Sequence, residues 1–217
     1  DAVRDELIRS LRLRRATGEV AGVAEVASID PNAAVRSQCF TVLADLAAAE
    51  HLERLTELML KEGDAGARGA AEKAVLAIAR RVDDPAKRVG PLPAAHGKAT
   101  GAARVAALNV LARLGGADAL AAVQKDLASP DAAVREGALR ALTNWPDGAA
   151  AEPLLGLAKS LKDETQRILA ARGLIRALGL ASGRPVADTV KLYQQAIELA
   201  PRADEKKLAL AGLAGIA

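Results

Sequence analysis

A pattern that recurs along the whole chain constrains its fold more than any other feature of the sequence. A basic residue appears every 31 to 39 residues, and apolar or small residues follow it three and seven positions later. Most copies continue with another apolar residue at the tenth position. Offsets of three, seven and ten residues lie along one side of an α-helix. The basic residues, named anchors here, are Arg4, Arg36, Arg68, Arg104, Arg135, Arg167 and Lys206.

The spacing of the anchors predicts stacked pairs of helices. A period of about 30–40 residues that carries a helical stripe is typical of proteins built from repeated helix pairs. The helix with the anchor is named the B helix, and the amphipathic segment before it the A helix. We predict an all-α chain of about six to seven such pairs, in a single array over residues 1–217. The predicted B helices lie near 3–15, 33–48, 65–81, 101–114, 131–144, 164–178 and 203–217.

Local signals mark where several helices begin. Asp30 and Ser129 each stand before a proline, which is typical of a capping side chain followed by the first helical residue. Asp163 precedes Gln166 in the form of a capping box. The segment 85–98 is the least regular, because Pro91 and Pro93 fall where a helix interior is expected. We therefore predict a short or kinked A helix there.

The composition supports helices and excludes two other classes. Hydrophobic residues make up 51% of the chain, but aromatic residues only 1%. A β-sandwich or barrel would need more aromatic and β-branched residues, and a disordered chain would be less apolar. We expect Trp145 and Phe40 in the core and Tyr193 half-buried.

Two segments resemble the second-helix signature of HEAT repeats. They are Asp30-Pro-Asn-Ala-Ala-Val-Arg36 and Ser129-Pro-Asp-Ala-Ala-Val-Arg135. The resemblance extends over the chain in more degenerate copies. It implies a HEAT-like α-solenoid (an α-α superhelix) and a scaffold that binds other proteins without catalysis. The stretch from Ala141 to Lys206 also resembles HEAT regions of large multidomain planctomycete-type bacterial proteins. That likeness implies an accessory domain beside a carbohydrate-active or redox domain, in the periplasm or outside the cell.

The residues that carry enzyme or metal chemistry are scarce. The chain has two histidines, His51 and His96, and one cysteine, Cys39. A structural zinc site needs about four such ligands. Cys39 occupies the apolar stripe, so we expect it in the core, and we expect both histidines at the surface. The glycines of the stretch 90–98 lack the spacing of a phosphate-binding loop. We therefore predict no catalytic residue, no metal and no cofactor.

The anchor arginines are predicted to form a structural ladder. An arginine repeated once per unit can bridge to the acidic turn of a neighbouring unit, at Asp30, Asp131 or Asp163, because guanidinium and carboxylate groups pair in a bidentate way. The ladder residues are Arg36, Arg68, Arg104, Arg135 and Arg167.

A second column of residues faces away from the apolar stripe. It lies at the fifth and ninth positions after the anchors. In the repeats of Arg68, Arg104, Arg135 and Arg167, seven of its eight members are basic or amide residues, although the net charge of the chain is only +3. B helices line the concave side of HEAT-like arrays, which is where solenoids bind their partners. We therefore predict a groove for an acidic peptide or protein surface. Its residues are Lys73, Asn109, Arg113, Arg140, Asn144, Arg172 and Arg176.

Several functions stay open at this point. The main hypothesis is a protein-binding scaffold, and the ordinary alternative is a solvated basic face without a partner. Nucleic-acid backbone binding is an alternative, although stacking on bases would require exposed aromatic residues. An enzyme similar to the HEAT-like bilin lyases is a further alternative. No apolar stretch is long enough to span a membrane. Because the chain ends in the apolar run 208–217, we expect another repeat or domain to follow it.

Overall fold

The computed structural model describes residues 2–84 and 87–216, and in this part of the chain all regular structure is helical. The α-helices are α1 Ala2–Leu13, α2 Val20–Ile29, α3 Ala33–Leu46, α4 Leu52–Lys61, α5 Ala65–Ala79, α6 Leu92–Lys98, α7 Gly101–Leu114, α8 Ala117–Asp126, α9 Ala132–Thr143, α10 Ala151–Ser160, α11 Glu164–Leu178, α12 Val186–Leu199 and α13 Ala203–Ala214. The chain divides into two compact units, Asp1–Ala119 and Leu120–Ala217. A single continuous array over both units stays a prediction.

Unit 1 consists of two layers of helices. The B helices α1, α3, α5 and α7 pack side by side in chain order. The A helices α2, α4 and α6 form the second layer, and each packs against the B helix that follows it. Apolar side chains between the layers, such as those of Leu43, Leu55 and Ile78, are almost completely buried.

Unit 2 repeats this arrangement. Its B helices α9, α11 and α13 pack in chain order, while α10 covers α11 and α12 covers α13. Leu139, Ala158 and Ala170 form an apolar cluster between α9, α10 and α11. The layered helix pairs of both units confirm the predicted fold class, an all-α chain with the packing of an α-α solenoid. No helix in the described part of the chain is long and apolar enough to cross a membrane.

The helix starts follow the predicted chemistry with two corrections. Asp163 caps α11, since its Oδ1 accepts the N–H of Gln166 at 2.8 Å. The cap of α3 is Asn32 and not Asp30, and the cap of α9 is Asp131 and not Ser129. In both places the expected side chain instead accepts the N–H of the residue two positions later. Each helix therefore begins beyond its proline, because a polar turn precedes the cap.

Most predicted core residues are buried. Cys39, Phe40 and Trp145 are at most 1% exposed, which confirms their assignment to the core. Tyr193 is only 2% exposed, so it is more deeply buried than expected. The expectation of two surface histidines is wrong for His96, which is 3% exposed. His96 lies four residues after the buried Leu92, so both side chains occupy the inner face of α6.

The third A helix is short. Helix α6 has seven residues, and a turn at Gly90 with φ +42° precedes it. This backbone conformation favours glycine because a Cβ atom would strain it. Pro91 and Pro93 fit only in the first turn of α6, so the helix does not extend further back. Pro85 lies outside the described residues.

Candidate binding site

The anchor arginines bind backbone carbonyls at or just after the end of the preceding A helix. The Nη1 groups of Arg36, Arg68 and Arg135 each donate to the carbonyl oxygen six residues earlier, at 2.8 Å in all three cases. Arg104 donates in a similar way to Ala99, at 3.4 Å. A cation near the last carbonyls of a helix interacts favourably with the helix dipole. The repeated arginine thus joins the A helix of a pair to its B helix.

The bidentate pairing predicted for the ladder forms at Arg36, but its partner is not one of the three predicted aspartates. Arg36 donates to Glu62, at the end of α4 in the next repeat. Asp131 and Asp163 accept N–H groups of their own helices instead. The side chain of Arg167 makes no hydrogen bond or ion pair among the described residues, and the side chain of Arg4 lies outside them. The predicted bridges therefore fail at Asp131 and Asp163, because these carboxylates act as helix caps.

The groove residues of unit 1 differ in their surroundings. The side chains of Lys73 and Arg113 are exposed and make no hydrogen bond or ion pair in the described part of the chain. Asn109 is half-buried, and its Nδ2 donates to Oε2 of Glu72 at 3.2 Å. Burial raises the pKa of Glu72, while the hydrogen bond from Asn109 and the charges of Arg68 and Arg113 act in the opposite direction.

Two groove residues of unit 2 also bind neighbouring helices. Arg176 on α11 donates through Nη1 to the carbonyl oxygens of Thr143 and Trp145, at 3.4 and 2.8 Å, and so caps the end of α9. Arg172 donates through Nε to Oε1 of Glu205 at 2.8 Å. Arg140 pairs with Glu136 one turn earlier on the same helix, at 2.6 Å. The amide of Asn144 donates to the carbonyl of Arg140 at 3.0 Å.

Three of the four predicted groove residues of unit 2 nevertheless line one cavity. This cavity, named the arginine pocket here, has a volume of about 550 Å³. Its lining combines guanidinium groups, short polar side chains and two apolar residues. The lining residues are Arg140, Thr143, Asn144, Thr165, Ile168, Leu169, Arg172 and Arg202.

A buried carboxylate fixes two of the arginines. Glu205 is completely buried, and it accepts hydrogen bonds from Arg172 and, at 3.2 Å through both Nε and Nη2, from Arg202. The hydrogen bonds from Arg202, aided by the one from Arg172, lower the pKa of Glu205, although burial acts in the opposite direction. Within the described residues, both Nη groups of Arg172 and Nη1 of Arg202 keep unused donors. The geometry therefore provides oriented N–H groups for an anion.

Sequence reasoning missed Arg202 and Glu205, yet one signal pointed to Glu205. The residue directly before the anchor is Val35, Ala67 and Val134 in three other repeats, and each is 1% exposed. In the last repeat Glu205 occupies this position. A carboxylate at a core register must be paired, so a cationic partner within reach was to be expected.

Few of the described residues could bind a metal ion or act as a nucleophile. No three His, Cys, Asp or Glu side chains there lie close enough together to hold a metal ion. Cys39 is buried, which removes the exposure that a reactive thiol requires.

One comparison with a protein of known structure supports the fold. An engineered protein of known structure is 21% identical and is similar over 91% of this chain and 96% of its own, with a TM-score of 0.50. The archaeal HEAT-like repeats protein from Thermococcus onnurineus NA1 is 15% identical and covers 98% of this chain and 96% of its own, with a TM-score of 0.47. No protein-family model and no curated protein matches this sequence. The first likeness shows the fold alone.

Proposed function

We propose that this protein is a non-catalytic scaffold that binds an acidic peptide segment of another protein. The observation that carries the proposal is the meeting of Arg140, Arg172 and Arg202 at one cavity, beside Ile168 and Leu169. A peptide with carboxylates next to an apolar side chain satisfies both kinds of lining. HEAT-like helical repeats in general bind proteins, which agrees with this role.

The choice of a carboxylate follows from the donors that the pocket leaves free. Arg140 uses Nε and Nη2 on Glu136, which leaves its Nη1 to donate to a ligand. The three arginines outnumber the two carboxylates that form ion pairs with them, those of Glu136 and Glu205, which leaves an excess of one positive charge among the paired groups; Asp204 and Glu164 also lie near Arg202. The excess favours an anion, and the planar guanidinium groups suit a carboxylate in particular.

Unit 1 carries exposed cations of its own. The side chains of Lys73 and Arg113 make no hydrogen bond or ion pair among the described residues, so they can pair with acidic residues without breaking a bond of the fold. Asn109 is a weaker candidate, because Glu72 already accepts from its amide. We propose Lys73 and Arg113 as the contacts of unit 1.

The test uses Arg140, because its removal breaks only an exposed ion pair within one helix. A fluorescent peptide of alternating glutamate and leucine is the probe, and a glutamine–leucine peptide is its neutral counterpart. Arg140→Glu is expected to weaken binding of the acidic probe by about tenfold or more, since loss of a charge pair and a new repulsion cost about 1.4 kcal/mol.

The matched control is Lys159→Glu, a charge reversal on the exposed face of α10. This variant is expected to bind the probe like the wild type. Equal affinity of the wild type and Arg140→Glu, or equal binding of the acidic and neutral peptides, would overturn the proposal.

Nucleic-acid binding is the second candidate, favoured by the same exposed cations. Against it, Phe40, Trp145 and Tyr193, which are all the aromatic residues of the chain, are buried, so no ring can stack on a base. A duplex of DNA titrated at rising salt decides between the two. Affinity for the duplex above that for the acidic peptide, with a steep salt dependence, would favour the nucleic acid.

Attachment to a carbohydrate-active or redox protein stays a prediction from resemblance.

A further inference from the structure

Another cavity lies in unit 1, between its A helices. This cavity, named the α4–α6 cleft here, has a volume of about 450 Å³. Helices α4 and α6 and the start of α7 form its walls. The lining residues are Glu53, Thr56, Glu57, Leu60, Lys61, Pro91, Ala94, Ala95, Lys98, Ala99, Thr100 and Ala103.

The cleft exists because α6 is short. Helix α4 has ten residues and α6 only seven, since Gly90, Pro91 and Pro93 prevent an earlier start. The side chains that α6 presents to the cleft are small, chiefly Ala94 and Ala95. A shallow apolar floor therefore remains open in the A layer.

Both walls of the cleft carry a charged side chain that forms no ion pair in the described part of the chain. The side chains of Glu53 on α4 and Lys98 on α6 make no hydrogen bond or ion pair there. Glu57 is instead shared by Arg54 and Lys61, at 3.7 and 3.9 Å. Among the described residues, the wall of α4 thus carries an unpaired carboxylate near the beginning of the helix, and the wall of α6 carries an unpaired ammonium group at the end of the helix.

We propose that the α4–α6 cleft docks a short amphipathic helix of a partner protein, with an acidic residue in its first turn and a basic residue in its last. The acidic residue faces Lys98, the basic residue faces Glu53, and apolar residues one turn apart lie on the alanine floor. This polarity also suits the dipole of the docked helix. Glu53 and Lys61 are about 12 Å apart along α4 at 1.5 Å per residue, so about two turns of helix match the cleft.

This docking site goes beyond the function proposed above, because it lies on A helices of unit 1 and needs none of the arginine-pocket residues, which belong to unit 2. The probe is a hydrocarbon-stapled helical peptide with glutamate in the first turn, two leucines one turn apart and lysine in the last turn. A second peptide has the glutamate and the lysine exchanged. Fluorescence polarisation measures the affinity of each.

The decisive variant is the double substitution Glu53→Lys with Lys98→Glu. Wild type is expected to bind the first peptide at least about tenfold more tightly than the exchanged one, and the double variant is expected to reverse this order. A misfolded variant would lose both peptides and not exchange them. Ala94→Trp, which places a large ring on an exposed wall position, is expected to abolish binding of both peptides.

Arg140→Glu serves as the control that separates the two proposals. The arginine pocket can also bind the glutamate of either helical peptide, so only the order of the two affinities, and not their values, is expected to match the wild type. Failure of the order to reverse in the double variant, with both proteins folded by circular dichroism, would overturn this inference. Self-association of the wild type in sedimentation, abolished by Ala94→Trp, would also overturn it, because a second copy of the chain would then occupy the cleft.

Discussion

Arg36 and Glu62 form a bidentate ion pair between consecutive repeats: Nε and Nη2 of Arg36 donate to the two carboxylate oxygens of Glu62, at 2.8 and 2.7 Å. Glu62 ends α4 and is 7% exposed, and its Oε1 also accepts the N–H of Asp64. The remaining Nη1 of Arg36 donates to the carbonyl of Asp30, at the end of α2. One guanidinium thus joins three helices of unit 1.

Removal of this carboxylate is expected to destabilise the protein strongly. Glu62→Ala leaves Arg36 half-buried and without its charge partner, so we expect a loss of about 2–4 kcal/mol in the free energy of unfolding, measured by urea denaturation. Glu57→Ala, at the exposed pair on the same helix, is the control and should cost less than about 1 kcal/mol. Equal effects of the two substitutions would contradict the structural role of Glu62.

The same pair predicts a dependence on pH. The hydrogen bonds from Arg36 lower the pKa of Glu62 in the folded state. The stabilisation is therefore complete above the unfolded-state pKa of about 4.3 and disappears as the pH falls through the lower folded-state value. The difference in unfolding free energy between wild type and Glu62→Gln should shrink as the pH falls below about 4. A difference that is constant from neutral pH to about pH 3 would exclude this assignment.

Glu72 is expected to behave in the opposite way. Burial raises its pKa in the folded state, so its ionisation destabilises the fold as the pH rises from the unfolded-state towards the folded-state value. Glu72→Gln keeps an oxygen that can accept from Asn109 and removes the buried charge. We expect this variant to be as stable as the wild type or more stable at neutral pH, by thermal unfolding. A clear loss of stability would show that the charges of Arg68 and Arg113 outweigh burial.

Arg176 and Arg113 occupy equivalent positions nine residues after their anchors, and they offer a matched pair. Arg176 caps α9 through two carbonyls, whereas the side chain of Arg113 makes no hydrogen bond among the residues that the structure describes. Arg176→Met should cost about 1 kcal/mol in unfolding free energy, because charged hydrogen bonds to carbonyls are lost. Arg113→Met should be nearly neutral. If both substitutions lower the free energy of unfolding by the same amount, the hydrogen bonds from Arg176 to the end of α9 do not stabilise the protein.

Gly173 allows α11 and α9 to approach closely. A Cβ atom at Gly173 would lie 2.8 Å from Cγ2 and 2.9 Å from Cα of Thr143. Gly173→Ala is therefore expected to destabilise by about 1–3 kcal/mol through overpacking. At Gly156, on the exposed face of α10, an added methyl group would meet open space, so Gly156→Ala should stabilise by about 0.5–1 kcal/mol. Calorimetry of both variants tests the contrast, and a stable Gly173→Ala would refute the close contact.

The core of each helix pair could be predicted from the sequence because burial follows the helical period. Cys39 lies at a stripe position of α3 and is buried as expected, whereas Trp145 is buried although α9 ends at Thr143, so the helical period does not explain its burial. The burial of His96 could not be predicted in this way, because His96 lies on a short A helix whose prolines obscure the helical period. The observed caps, Asn32 and Asp131, lie two residues after the predicted ones. The sequence could not distinguish them, because the same polar side chains form both a turn before a helix and the helix cap.

By itself, the amino-acid sequence determined which segments become helices, which face of each is buried and where a basic residue recurs, because these properties depend on neighbours within a few turns. The tertiary structure alone decided what the basic residues bind. Glu62 lies 26 residues from Arg36, and Glu205 lies 33 residues from Arg172. A hydrogen bond forms only at a definite distance and angle between atoms of different helices, and those positions follow from how the helices pack.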